Sequence, residues 1–342
     1  MERNTTLDLI KFFAIVGVVI IHTKPFYGNE IGIILNSISR SAVPFFFIVS
    51  GYLFTKKFNK DISRYGKQIV KLSKLYLSWY MVYMVYDIYM LVTRNTDKTM
   101  FENIYQYAHD NLNVINIIYY ASGTSGYQLW YLPTLILSII ILTVFLSVNR
   151  LTHLLIGSLI LHLFGIIGES YTFIFEFWFQ IREVMFFGLF YTTLGAFIAK
   201  KEKTFYTFLK AKHYLKLSLV FLLIQVVERS ILISKFGESI SDDYVFSTIF
   251  SSLFLFLFAL LSPGIGKNSI LTKVGENAVG IFVIHILVMR IGDSIFKDIE
   301  DIVGYITWNL LYTPIIVIIS YLLYLLIQKS KKQIYVLRQY RK

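Results

Sequence analysis

The sequence contains no cysteine. Within this chain that excludes thiol nucleophiles, disulfides and Cys-ligated metal sites, and it is silent on compartment. Charge is scarce as well. Only 16% of the 342 residues are Asp, Glu, Lys or Arg, against about a quarter in an ordinary soluble domain. No HExxH, CxxC, GxSxG, Walker or GxGxxG signature occurs, so zinc-hydrolase, α/β-hydrolase and nucleotide-fold readings lack support and no metal is expected. No tandem repeat with a period of 20–50 residues is visible. What fills the chain instead is hydrocarbon. Hydrophobic residues make up 56%, with 30 Phe and 25 Tyr, and the mean hydropathy is +0.61. A soluble globule, a disordered chain and a disulfide scaffold are thereby excluded. The apolar residues recur in runs near membrane-spanning length, so the expected fold is all-α: a polytopic membrane protein with the lipid bilayer as its first partner.

About ten transmembrane helices are expected. They are Leu7–Thr23, Val43–Phe54 with its upstream turn, Leu72–Thr93, Leu129–Val148, Leu151–Gly168, Val184–Ala199, Leu215–Ser234, Val245–Leu261, Ala278–Gly292 and Ile302–Ile327. The second is short and reaches membrane length only if Ile31–Ser41 contributes. The first does not read as a cleaved signal, because Asp8 and Lys11 interrupt its start and Pro25 follows its end. Net charge is +12. In such a chain that excess marks cytoplasmic loops and not a nucleic-acid surface. With the N-terminus inside, 24 of the 33 Lys and Arg fall on the inner side and 8 on the outer, with Arg229 inside a span. The expected arrangement is one multi-pass domain over residues 1–342 in the cell membrane, both termini cytoplasmic and no soluble domain. The longest loop, Arg94 to Gln128, falls outside and reads equally as a cap or as a solvated connector.

Ionisable groups inside spans are costly and are functional candidates by default. Asp8 and Lys11 lie three apart on one helix face and can pair. His22, fourteen residues after Asp8, falls on roughly the same stripe but ~21 Å away along the axis. A helix with polar groups at both ends of one stripe lines a path, or else rests each end in a headgroup zone. Ser50-Gly51 in PFFFIVSGYLF permits close helix contact. Lys67, Lys71 and Lys74 form one helical stripe after the second span. That stripe is either a topology signal or a phosphate contact. Trp130 and Tyr131 suit a membrane interface. Arg182 precedes the sixth span, and His285 sits midway along the ninth.

The segments LDLIKFFAIVGVVIIH, PFFFIVSGYLF, LWYLPTL and IFVIH resemble, in order and spacing, the motifs of the acyltransferase 3 family of integral membrane acyltransferases. The stretches AIVGVVIIHTKPF, SAVPFFFIVSGYLF, GYQLWYLPTL and REVMFFGLFYTTLGAFIA are similar to the membrane domain of vancomycin-resistance type serine racemases, a branch of that family. Those proteins carry a racemase domain after the membrane part. This chain stops at Lys342, so racemase chemistry is not expected. The resemblance implies transfer of an acyl group, usually acetyl, from cytoplasmic acetyl-CoA to a hydroxyl of a sugar or cell-surface glycan. It implies Asp8 and His22 as the acid and histidine of the first-helix motif, with His22 the base. Lys11 stands where arginine is usual, and Lys71 and Lys74, preceded by Arg64, are nearest to the cytoplasmic basic motif. These four would meet the CoA phosphates, with ammonium groups mostly replacing guanidinium forks. His285 matches the late histidine. Ser50, Trp130, Tyr131, Arg182 and His285 remain as substrate or oxyanion candidates. The rival class is a transporter or exporter of a serine-like amino acid or a lipid-linked glycan, for which the polar stripe would be a conduction path.

Overall fold

The computed structural model describes residues 3–57, 62–94, 99–120, 122–174, 184–237, 245–296 and 299–340. Among them every regular element is helical. In chain order these are α1 (Thr5–Thr23), α2 (Glu30–Ser39), α3 (Ala42–Lys57), α4 (Ile62–Arg94), α5 (Met100–Asn111), α6 (Tyr131–Ser147), α7 (Leu151–Ser170), α8 (Leu189–Lys200), α9 (Glu202–Phe208), α10 (Ala211–Phe236), α11 (Phe246–Leu261), α12 (Ile270–Glu276), α13 (Ala278–Ile295), α14 (Ile299–Val303) and α15 (Tyr305–Tyr340). Single π-turns occupy Asn116–Tyr120 and Val184–Gly188. The all-α membrane fold expected from hydropathy is present. The count of ten spans is not reached. Among the described residues, seven helical stretches are long and apolar enough to cross a bilayer, and an eighth is the pair α12–α13 if counted as one. That pair is bent by 79°, so the segment expected as Ala278–Gly292 is half of a broken element. The segments expected at Val184–Ala199 and Val245–Leu261 are the shorter apolar helices Met185–Lys200 and Phe246–Leu261.

The chain divides into two compact units. The first comprises Met1–Ala42 with Ser262–Lys342, joining the two ends of the sequence. Its organising helix is α1. The Asn4 side chain accepts from Leu7 N and caps the first turn. The hydroxyls of Thr5 and Thr6 then bind the loop 262–265: Thr5 Oγ1 donates to Pro263 O at 3.1 Å, and Thr6 Oγ1 accepts from Ile265 N at 2.9 Å. Gly275 lets α12 cross directly over α1, because a Cβ there would lie 1.9 Å from Asp8 O. At its far end α1 stops where Lys24 turns left-handed (φ 46°) ahead of Pro25.

The second unit is Val43–Leu261. Here α3 and α8 touch backbone to backbone. A Cβ on Gly51 would come within 1.9 Å of Thr192 O, and one on Gly195 within 2.0 Å of Ile48 O. Ser50-Gly51 is thus a packing notch, and its value lies in what it lacks. Large rings fill the space around it: Phe47 packs on Tyr131 at 4.5 Å and on Phe187 at 6.1 Å, and Tyr52 meets Phe256 at 5.3 Å. At the end of α3, Glu202 gathers the phenols of Tyr52 (2.9 Å) and Tyr206 (3.0 Å) and the Lys56 ammonium. Burial alone would raise the Glu202 pKa, but the hydrogen bonds from Lys56, Tyr52 and Tyr206 outweigh it and hold the carboxyl below its ordinary value.

Replacing Gly51 with Leu drives a side chain into the α8 backbone, and overpacking of this kind costs about 1–3 kcal/mol or more. Gly51→Leu should therefore lower the thermal midpoint of the detergent-purified protein sharply. Gly157→Leu, on an exposed stretch of α7 with open space around the glycine, should leave it unchanged.

Candidate active site

The polar stripe of α1 is built as two separate clusters. At the start of the helix Asp8 is buried, and two cationic partners gather around it. Arg3 Nε donates to Asp8 Oδ2 at 2.7 Å and Lys11 Nζ to Asp8 Oδ1 at 3.1 Å. The second nitrogen of the Arg3 fork, Nη2, reaches Glu276 Oε2 on α12 at 2.8 Å. Each carboxylate oxygen of Asp8 is thereby occupied. The arrangement ties the N-terminus, α1 and α12 together and puts Asp8 in an ion network. Arg3, counted from sequence only as a topology charge, is its central member.

At the other end of α1, His22 and His285 come face to face across 263 positions of sequence, with ring centroids 5.3 Å apart and planes tilted by 33°. His285 is fully buried on α13. Its Nδ1 lies 2.8 Å from Phe282 O and 3.2 Å from Ile281 O. A carbonyl can only accept, so Nδ1 carries the proton and donates. Nε2 is therefore the lone-pair nitrogen. It is buried with no hydrogen-bond partner among the described residues. His22 is half-buried. Arg40, itself buried, and Lys24 lie within electrostatic reach of it. The backbone beyond His22 is held hard. Thr23 Oγ1 pairs with Thr313 Oγ1 at 2.7 Å, and Phe26 N donates to Asn309 Oδ1 at 2.6 Å. Lys24 (φ 46°) and Phe26 (φ 55°) flank Pro25 in left-handed conformations. Such backbone is uncommon for non-glycine residues and persists only where its surroundings over-determine it.

A second intramembrane histidine shows what a structural imidazole looks like here. His162 on α7 is buried, with Nδ1 donating to Phe186 O at 2.6 Å and Nε2 accepting from Tyr191 OH at 3.1 Å. Its ring stacks on Phe190 at 4.9 Å. Both nitrogens are used. His285 differs in having one left over.

The remaining sequence candidates belong to the second unit. Ser50 Oγ and Tyr131 OH meet at 3.1 Å. Trp130 and Tyr131 both pack on Phe47. Lys71 and Lys74 are exposed on α4. Arg64 lies on α4 with its side chain outside the described residues, and Arg182 lies outside them altogether.

Residues 4–325 match a family model described as an acyltransferase domain, nearly the whole length of the chain. The chain belongs to the acyltransferase 3 family. Two curated relatives, both named amino-acid racemase and both from Enterococcus faecalis, are 27% and 26% identical to it. The first match covers 99% of this chain and 48% of the relative, the second 65% and 31%. This acyltransferase 3 chain therefore spans about half the length of the first relative and less of the second. No solved structure matches it.

The ion network at the start of α1 has a measurable signature. Asp8→Asn keeps the shape and removes the charge that Arg3 and Lys11 share. Hydrogen bonds to charged groups contribute about 1.5–3 kcal/mol when buried. Arg3 is half exposed, which places the loss at the lower end. Asp8→Asn should destabilise the purified protein by about 1–2 kcal/mol. Arg3→Gln in the Asp8→Asn background should then cost less than it does alone, because partners in one network are not additive.

Proposed function

We propose that the protein transfers an acyl group, acetyl in the first instance, from cytoplasmic acyl-CoA to a hydroxyl of a cell-surface glycan or related acceptor. The observation that carries this reading is the His22–His285 pair on an acyltransferase 3 chain, with a buried imidazole nitrogen that has no partner. A hydroxyl attacks a thioester only as its proton leaves, and imidazole is suited to take that proton near neutral pH. In this reading His22, the half-exposed member, removes the proton from the acceptor oxygen. The oxygen bonds to the acyl carbon, the C–S bond breaks, and the proton passes to the departing thiolate. His285, with its tautomer set by Phe282 and Ile281, presents Nε2 as the acceptor that orients the proton-bearing face of the pair. The buried guanidinium of Arg40 favours the negative charge that develops on the carbonyl oxygen.

The donor is polyanionic and membrane-impermeant, so its phosphates belong on the side rich in lysine. Lys71 and Lys74, exposed one turn apart on α4, suit that role. The orientation that fits is the one with both termini cytoplasmic, in the cell membrane. A second reading has a specific support. Both relatives are named amino-acid racemases and share this membrane portion, which favours import of a serine-like amino acid. Purified protein in detergent separates the two readings. An acyltransferase consumes acetyl-CoA there, whereas a transporter needs two compartments.

A general base contributes about 10²–10⁴-fold. His22→Ala and His22→Gln should both insert and purify normally and lose at least ~10²-fold in acyl transfer. Glutamine keeps hydrogen bonding but takes no proton near pH 7, so near-normal transfer by His22→Gln overturns the assignment.

For the donor, Lys71→Gln with Lys74→Gln should raise the apparent KM for acetyl-CoA while leaving the thermal midpoint in place, since exposed charges contribute little stability. Unchanged donor kinetics would reduce both lysines to topology charges.

A further inference from the structure

Between α5 and α6 the chain does not stay at the surface. A ladder of side chains runs down one face of α4: Tyr76, Tyr80, Tyr83 and Asp87, at alternating spacings of four and three. Asp87 Oδ2 accepts from Tyr107 OH at 3.2 Å and from Ser125 N at 2.7 Å. Tyr83 OH accepts from Gln128 Nε2 at 2.7 Å. Tyr80 OH donates to Ser122 O at 3.2 Å, and Tyr76 OH donates to Ile117 O. Read along the chain, residue 107 sits at the level of Asp87, residue 117 at Tyr76, residue 122 back at Tyr80 and residue 125 back at Asp87. The segment descends and returns. Eleven residues of helix separate Asp87 from Tyr76, a depth of ~16 Å. Across the mouth, Tyr107 OH donates to Gly123 O at 2.7 Å, which closes the descending limb on the ascending one.

The depth has an absolute reference. The apolar part of α4 is Tyr65–Thr93, 29 residues, and a bilayer core takes ~20 of them. Every 20-residue window within Tyr65–Thr93 contains Tyr76, Tyr80 and Tyr83. Wherever the bilayer is placed on α4, the turn at residue 117 lies inside it. The exposed side chains of the turn agree. Val114, Ile115 and Ile118 are 67%, 59% and 55% exposed and carry no polar atom. Non-helical backbone at this depth is tolerated only where the protein satisfies its polar groups. The phenols of Tyr76 and Tyr80 do that for the carbonyls of Ile117 and Ser122, which would otherwise face hydrocarbon.

We propose that residues 112–120 and 122–126 form a re-entrant hairpin, inserted into the membrane core along α4 and latched by Tyr76, Tyr80 and Asp87, with Val114, Ile115 and Ile118 in contact with lipid acyl chains. The assignment is independent of the acyl-transfer reading, because it rests on α4 and the hairpin alone.

The absence of native cysteine makes the test direct. Single-cysteine variants K203C, I115C and I118C of the full chain are reconstituted in phosphatidylcholine vesicles and treated with a membrane-impermeant maleimide, before and after opening the vesicles. K203C, exposed on the short polar helix α9, should label readily once the vesicles are open. I115C and I118C should label at least ~10-fold more slowly from either face. Coupled to a bilayer-permeant fluorophore, they should be quenched more by mid-chain than by headgroup spin-labelled lipid. Labelling of I118C as fast as K203C in opened vesicles, or stronger quenching from the headgroup, overturns the proposal. Ile115 and Ile118 are exposed, so cysteine there leaves the packing intact, and K203C reports recovery of folded protein. Adding Tyr76→Phe and Tyr80→Phe to I118C should raise its labelling rate. An unchanged rate would overturn the latch.

Discussion

Hydrocarbon offers no hydrogen bonds, so every polar group carried into it must find a partner within the protein. The features of this structure that matter for function follow from how that demand is met or left unmet. The buried hydroxyls of Ser37 and Ser39 turn back on the carbonyls of Ile33 and Leu35, and that of half-buried Thr143 on Ile139. This is the local solution open to any helical serine or threonine. Glu228, on a membrane helix, accepts from the backbone nitrogens of Phe246 and Ser247 and so caps α11. Asp8 is met by two cations. The lone-pair nitrogen left over at His285 contrasts with His162, which engages both of its nitrogens, but it is one of several buried polar atoms without a partner among the described residues, with Ser138, Thr192, Ser320 and His213 Nδ1. Burying an acceptor without a partner costs stability; what distinguishes His285 is that its spare nitrogen lies beside a second imidazole, that of His22.

Legibility in the sequence tracked the range of the interaction. Helix existence was visible nearly everywhere, because apolar runs are local. The Asp8–Lys11 pair was visible too, since spacing on a single helix determines it. So was the Ser50-Gly51 notch, where the small residues themselves point to a close approach. The meeting of His22 with His285 was not readable, because it depends on α13 packing against α1 from 263 positions away. Family motifs marked both histidines without showing that they touch. Arg3 hid for a different reason. An arginine at a chain terminus reads as a topology charge, and only α12, brought over Asp8 by Gly275, makes it a bridge to Glu276. The expected count of ten spans is not reached among the described residues. Hydropathy averages over a window and does not register the 79° break between α12 and α13.

The loop between α4 and α6 went unread in the sequence because its composition is mixed. Glu102, His109 and Asp110 make the stretch look aqueous, and the apolar turn at Val114–Ile118 is too short to signal a span. The information sits instead in α4, as tyrosines at helical spacing. Such a stripe is usually taken as interface or core filling. The phenols of Tyr76 and Tyr80 serve here as hydrogen-bond donors to another segment's backbone, a use that only appears once the acceptors are known.

The strained turn after His22 links these themes to chemistry. Lys24 and Phe26 hold left-handed backbone without glycine. Thr313 and Asn309 of α15 grip either side of the turn, and Tyr305 packs its ring on Phe26 at 6.1 Å. The donor and acceptor of each bond are buried or half-buried, so the end of α1 has little freedom to fray. Helix ends are ordinarily the loosest part of a helix, yet here the loose end carries a candidate base. A base loses efficiency steeply when its nitrogen is misplaced by about 1 Å. Fastening the turn by side chains from a distant helix therefore holds in place what would otherwise be a mobile terminus, and α15 does so through a hydroxyl, an amide and a phenol ring and not through a charge.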